Sequence, residues 1–240
     1  MHRTITTDQN IFQLPGPASV TYGFTRPHHI HISIPKDSTW RSELHWHNDQ
    51  SSCERLECIH GHLRVFYYPN PYINGSISMS PGCHHTFEEG TRTSWASESG
   101  KEDLVVLLKA NEVLYRNKLS ATLDADSFPS LATTPAWLRI LFRLFLRWPS
   151  AHHWLLVQML WLQLQAINYT NGYYTLHGQL PLVQLWRWTH PFAFTERPPE
   201  KLMRLQWQSQ ILFSSITQAI YFWVGRALGM RGQYPEYTPR

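Results

Sequence analysis

Over the first 110 residues the apolar positions come in short runs, many of them alternating with polar ones. Examples are Ile30-His31-Ile32-Ser33-Ile34, Leu63-Arg64-Val65-Phe66-Tyr67 and Leu104-Val105-Val106-Leu107-Leu108. Side chains in a strand point to opposite faces in turn, so such runs predict strands of about five residues. Pro35-Lys36-Asp37, Asn70-Pro71, Asn74-Gly75 and Pro81-Gly82 are turn signals between them. Short strands punctuated in this way predict an antiparallel sandwich or barrel. From Asn111 onward the pattern becomes helical. Thr134 reads as an N-cap and Pro135 as a first helical residue, opening a helix over 137–148 that Pro149 ends. Further helices are predicted over 151–167 and from about 199 to 228, with Gly229 as a stop. Asn171-Gly172 and the segment 180–199 read as loop and short helix, and no repeat or low-complexity tract interrupts the chain. The predicted organisation is therefore a β domain over 1–110 and a helical extension over 111–240 packed on it.

Composition narrows the function classes. The chain has 240 residues, 42% of them hydrophobic, enough for a sizeable core. Charged residues make up 16% and the net charge is +4, with no run of Lys and Arg, so no nucleic-acid partner is expected. Arg139, Arg143 and Arg147 form one helical stripe, which reads as a solvated face. The start, MHRTITTDQN, lacks an apolar signal-peptide core, so a cytoplasmic protein is expected. The apolar stretches 137–148 and 154–167 are interrupted by Arg or Gln and fall short of a membrane span. Cys53, Cys58 and Cys83 form no CxxC pair, which argues against a disulfide framework or a zinc ribbon. GxSxG, GxGxxG and Walker patterns are missing, so hydrolase triads, nucleotide cofactors and phosphoryl transfer have no sequence support.

The candidate chemistry lies in the histidines. Ten of the 14 fall in the first 85 residues. His45-Trp46-His47 places two imidazoles on one face of a strand. Glu54 follows on the next strand, and Ser80-Pro81-Gly82-Cys83-His84-His85 feeds a third imidazole into another. Three imidazoles and a carboxylate converging inside a barrel would hold a divalent transition metal with room for water or substrate. His28, His29 and His31 read as ordinary strand residues, and Cys58 and Cys83 as small buried groups.

These residues resemble the two cupin motifs. His45-x-His47, Glu54, six intervening residues and Gly61 are similar to the first. Gly75, four residues, Ser80-Pro81-Gly82, two residues and His85 are similar to the second. The resemblance covers roughly residues 15–110. It departs at three places: Thr39 stands where the first motif opens on Gly, six residues separate His47 from Glu54 instead of three or four, and Glu89 replaces a closing Asn. The tail, with Trp223-Val-Gly-Arg-Ala-Leu-Gly229 and Tyr234-Pro-Glu-Tyr237, is similar to the helical extension of small single-barrel cupins from fungal secondary-metabolite clusters.

The resemblance implies a mainly β fold, a cupin (double-stranded β-helix, or jelly-roll) barrel with a C-terminal α-helical extension. It implies a metal site of His45, His47, Glu54 and His85 holding Fe, Mn, Ni or Zn, and a homodimer. Its implied substrate is an apolar small molecule of polyketide or terpenoid type. The expected activity is a metal-dependent cyclisation or isomerisation, with Glu57, Tyr67 and His62 as candidate acids or bases on a metal-bound enol. An O2-dependent dioxygenase using the same ligands and a non-catalytic ligand-binding cupin are the alternatives.

Overall fold

The computed structural model describes residues 6, 8–43, 45–47, 54–70, 73–87, 92–124, 136–145, 148–171, 173–175, 200–228, 230, 234 and 237. Ten strands come first: β1 (Ile11–Leu14), β2 (Val20–Arg26), β3 (His29–Ile34), β4 (His45–His47), β5 (Arg55–His60), β6 (Leu63–Asn70), β7 (Ile73–Met79), β8 (His84–Thr86), β9 (Arg92–Ser97) and β10 (Leu104–Lys109). Then follow α1 (Glu112–Leu123), α2 (Ala136–Phe145), α3 (Pro149–Thr170), β11 (Tyr173–Thr175) and α4 (Glu200–Ala227).

The alternation seen in the sequence sets the inward faces. Ile30, Ile32 and Ile34 of β3 lie opposite Leu108, Val106 and Leu104 of β10, and all six are fully buried. Burying each such side chain is worth roughly 1.5 to 3 kcal/mol. The two sheets are antiparallel throughout, with orders β1-β2-β3-β10-β5-β8 and β11-β4-β9-β6-β7. Their inner parts, β3-β10-β5-β8 and β4-β9-β6-β7, are the two four-stranded sheets of a jelly roll. No hydrogen-bonded ladder joins the two sheets among the described residues. One core cluster fills the space between them, with Leu56 and Leu108 from the first sheet and Leu63, Val65 and Trp95 from the second.

Two glycines close tight turns, and the turn at Pro81-Gly82 is the one the sequence predicts. Gly61 has φ +78°, and the Asp103 carbonyl occupies the place a Cβ would take, so β5 can turn into β6 only on glycine. Gly82, at φ +85°, closes the Pro81-Gly82 turn. Asn74-Gly75 departs from expectation. It lies inside β7, where the Tyr67 ring packs on Gly75 in the place of a Cβ.

The helical half is tied to the jelly roll at defined points. α1 is capped by Asn111, whose side chain accepts from Leu114 N at 3.2 Å, and Leu119 enters the main core. Arg116 bonds Glu112 at 2.7 Å and the Gln9 carbonyl at 2.6 Å, and lies 4.3 Å from the Phe24 ring centre. Tyr234 N donates to Asn117 Oδ1, and the Tyr237 hydroxyl donates to Asp124, so both tail tyrosines are buried against α1. Arg92, on the outer face of β9, donates to Gln210 of α4 at 2.7 Å, and its burial holds the guanidinium down at about 10.

Two elements differ from the predicted pattern. Pro149 opens α3 instead of only ending α2, as suits a residue with no N–H to satisfy at a first helical position. Tyr173–Thr175, which the sequence pattern assigns to no element, is a strand that pairs with β4. The predicted cap at Thr134-Pro135, Arg147, Gly229, the segment 180–199, Cys53 and Glu89 lie outside the described residues.

Candidate functional site

β4 carries His45 into the interior between two neighbours, β9 and β11. His45 pairs with Thr93 on one side and Thr175 on the other, and His47 pairs with Tyr173. His45 is 1% exposed and Glu54, just ahead of β5, is 2% exposed, and they meet at 2.8 Å between Nε2 and Oε2. The other ring nitrogen, Nδ1, is 2.9 Å from the Glu43 carbonyl, which can only accept, so the Nδ1 proton is fixed there. Tyr115 of α1 donates its hydroxyl to Glu54 Oε1 at 3.3 Å. As a hydrogen bond, the His45–Glu54 contact therefore holds one proton between Nε2 and Oε2. Two buried polar groups this close persist because each satisfies the other.

A cavity of about 240 Å³ opens beneath α1. Its walls are mainly apolar and aromatic, with Tyr22, Ile32, Trp40, Trp95, Leu119 and Leu164. The Trp40 and Trp95 rings pack at 4.8 Å between centroids. Burial pushes the Tyr22 phenol up, so it stays a neutral donor in the cavity. Glu43 and Lys118 also line the cavity and pair at 2.8 Å; with Glu43 half exposed, the bridge contributes little stability. Tyr115 lines the cavity and bonds Glu54, so the buried pair is joined to the cavity wall through one hydroxyl.

The remaining predicted site residues are dispersed. His85 pairs with Leu56, which is fully buried, so it shares the inward face of β5 and β8. Its ring lies 4.9 Å from Phe87 and 6.2 Å from Tyr67, and burial holds its imidazole below the ordinary value, favouring the neutral form. Tyr67 thus sits inside, beside His85. His84 is exposed on the other face, opposite Glu57. Glu57 corrects an expectation: Leu56 and Cys58 point inward, so strand alternation turns Glu57 onto the outer face with Arg55 and Lys109. His62 is corrected too, because it stands exposed after the Gly61 turn and bonds Glu102 at 2.6 Å. Of His47 the structure describes the backbone position alone. Tyr115, Glu43 and β11 were not singled out from the sequence, and no motif spacing marks them, because all three reach the site through packing.

No protein-family model matches the chain, and no curated protein matches it. Among solved structures, the cupin domain of Drosophila melanogaster CENP-C is similar at 10% identity over 42% of this chain and 75% of that one, with a TM-score of 0.35. The capsular polysaccharide assembling protein CapF of Staphylococcus aureus is similar at 14% identity over 42% of this chain and 30% of that one, with a TM-score of 0.35. An oxalate decarboxylase from Bacillus subtilis is similar at 14% identity, over 41% and 27% of the two chains, with a TM-score of 0.33. The decisive observation is the chain's own strand order, two facing four-stranded sheets with the Gly61 turn between β5 and β6. The fold is a jelly roll.

Within this jelly roll, the donors present can be weighed against a metal. His45 donates Nδ1–H to a carbonyl, the usual way a ligating imidazole is oriented, and so presents its Nε2 lone pair. Glu54 Oε2 stands 2.8 Å away, close to the spacing of neighbouring ligands each about 2 Å from one ion. The pair fits two ligand positions. Among the described residues no group of three His, Cys, Asp or Glu is gathered closely enough to hold a metal, so His85 does not join the pair as it stands.

Proposed function

We infer that this cupin is a metal-dependent enzyme that encloses an apolar small molecule, of polyketide or terpenoid type, beneath α1 and catalyses its cyclisation or isomerisation. The observation that carries the reading is the buried His45–Glu54 pair, joined through the Tyr115 hydroxyl to the wall of a mainly apolar, aromatic cavity. His45 and Glu54, with His47 and His85 as the further ligands, would hold a divalent metal, which supplies Lewis-acid polarisation of a carbonyl or enol oxygen when bound.

The chain's own residues do the rest. Trp40, Trp95, Ile32 and Leu119 restrict the substrate to few conformers and keep water from it. Tyr115 can donate or receive a proton at its hydroxyl, with Glu54 Oε1 as the group that takes it up. Tyr67, inside the jelly roll and beside His85, is the second candidate donor. An oxygenase built on the same ligands is the nearest rival. A ligand-binding cupin without turnover is favoured by one observation, the separation of His85 from the His45–Glu54 pair among the described residues.

Elemental analysis of purified protein tests the reading. One bound transition-metal ion per chain is expected, lost in His45→Ala and in Glu54→Ala. Product of the same mass as substrate, formed without O2, supports cyclisation or isomerisation; label from 18O2 in the product replaces it with oxygenation. Metal-free protein that binds an apolar ligand tightly without changing it overturns both enzymatic readings.

A further inference from the structure

The charge of the chain is unevenly placed. Residues 1–134 carry 11 Lys and Arg against 14 Asp and Glu, whereas residues 135–240 carry 10 against 3. Helices α2, α3 and α4 include Arg139, Arg143, Lys201, Arg204 and Arg226 but a single acid, Glu200. The same helices hold the exposed apolar surface. Among the described residues, the jelly roll and α1 expose the large apolar side chains of Ile11, Ile59 and Leu123, and every other exposed one lies on α2, α3 or α4 or at Trp148 just before α3.

The pattern on each helix is amphipathic in the outward sense. On α2, Trp137, Ile140 and Leu144 form one exposed stripe, and Arg139 and Arg143 are exposed along its flank. On α4, Leu212, Ile216, Ile220 and Trp223 form a second stripe along a helix about 40 Å long, and Arg226 lies 5.8 Å from the Trp223 ring centre. An apolar surface of this extent on a folded chain marks a contact site.

We propose that the outer faces of α2 and α4 dock into the headgroup layer of an anionic lipid bilayer. Leu, Ile and Trp on one face with arginines beside them are the composition of helices that lie in the interface, and Trp favours that depth. No described helix is long and apolar enough to cross a membrane, so the helices lie on it. A second copy fits less well. Among the described residues the jelly-roll face offers few exposed apolar side chains to receive the stripes, and a helix-to-helix contact between copies would set arginines against arginines. The anionic surface matches the apolar and the positive character together, and the inference does not depend on the catalytic reading.

Co-sedimentation of the full chain with phosphatidylcholine vesicles, with and without about one third phosphatidylserine, tests it. Binding to the anionic vesicles is expected, weakened by added salt and markedly poorer on phosphatidylcholine alone. Arg139→Gln/Arg143→Gln should weaken it about 30-fold, and Lys101→Gln, on the jelly roll, should leave it unchanged. Leu212→Ser/Ile216→Ser should weaken binding to both vesicles; if that variant does not fold, quenching of wild-type Trp fluorescence by brominated lipid replaces it as the readout of insertion. Binding that ignores phosphatidylserine, salt and the two arginines overturns the proposal. So does a lipid-free dimer that Leu212→Ser/Ile216→Ser dissociates, which would give the face to a second copy.

Discussion

The jelly roll and the helices are both rich in apolar side chains, yet they place them oppositely. Leu56, Leu63, Val65 and Leu104 are fully buried, whereas Leu212 and Trp223 of α4 are 62% and 63% exposed. Among the described residues the inward strand side chains gather in one core cluster, and α1 caps the end of the jelly roll where the cavity opens. Beyond what the helices bury against one another, their remaining apolar face adds nothing to that core. Folding alone therefore accounts for the first set of apolar residues and not for the second.

The strongest way to break this comparison is to separate the halves. Cutting after Ala110 removes α1, whose Leu119 belongs to the core and whose Tyr115 bonds Glu54. It also removes β11 and turns β4, the strand of His45, into an unprotected edge. We expect fragment 1–110 to aggregate, measured by light scattering and size-exclusion chromatography. A monodisperse fragment with native strand content would show that the helices are an accessory.

Point substitutions sharpen it further. Leu56→Ala should cost about 3 kcal/mol in chemical denaturation, because the closely packed interior cannot collapse onto the space. Leu212→Ala should change stability by no more than about 0.5 kcal/mol. Equal losses at the two positions would mean that the α4 face is buried in solution by another molecule.

Which parts were legible in the sequence follows from the same contrast. Alternation in 30–34 and 63–67 marked strands whose inward residues are the ones buried, and Pro81-Gly82 marked a turn whose glycine has positive φ. Asn74-Gly75 misled because its turn chemistry is local, while the requirement actually met there is the approach of the Tyr67 ring. Three residues, Tyr173-Tyr174-Thr175, are too few for a periodic signal, so β11 emerged only from its pairing with β4. At the site, spacing brought out His45, Glu54 and His85 as inward residues. It could not bring out Tyr115, which arrives from α1 by packing across 61 residues of sequence. Glu57 and His62 show the converse, since closeness in sequence to Glu54 says nothing about the face a strand residue takes.

The finest probe of the comparison is thiol chemistry. In a Cys53→Ser background, Cys83 is exposed beside the Pro81-Gly82 turn, while Cys58 is fully buried within the core cluster. Burial also pushes the Cys58 thiol up, so less of the reactive thiolate is present at any pH below the shifted value. Alkylation followed by mass spectrometry should therefore modify Cys83 at least about a hundredfold faster, with Cys58 reacting only when the jelly roll opens. Leu56→Ala, next to Cys58 on the inward face, raises the open population and should speed Cys58 labelling by roughly the factor its stability loss dictates. Leu212→Ala should leave both rates where they were, because the α4 stripe does not hold the jelly roll closed. Cys58 labelling that quickens equally in both variants would show that the two halves open together, and that the outer face of α4 supports the core after all.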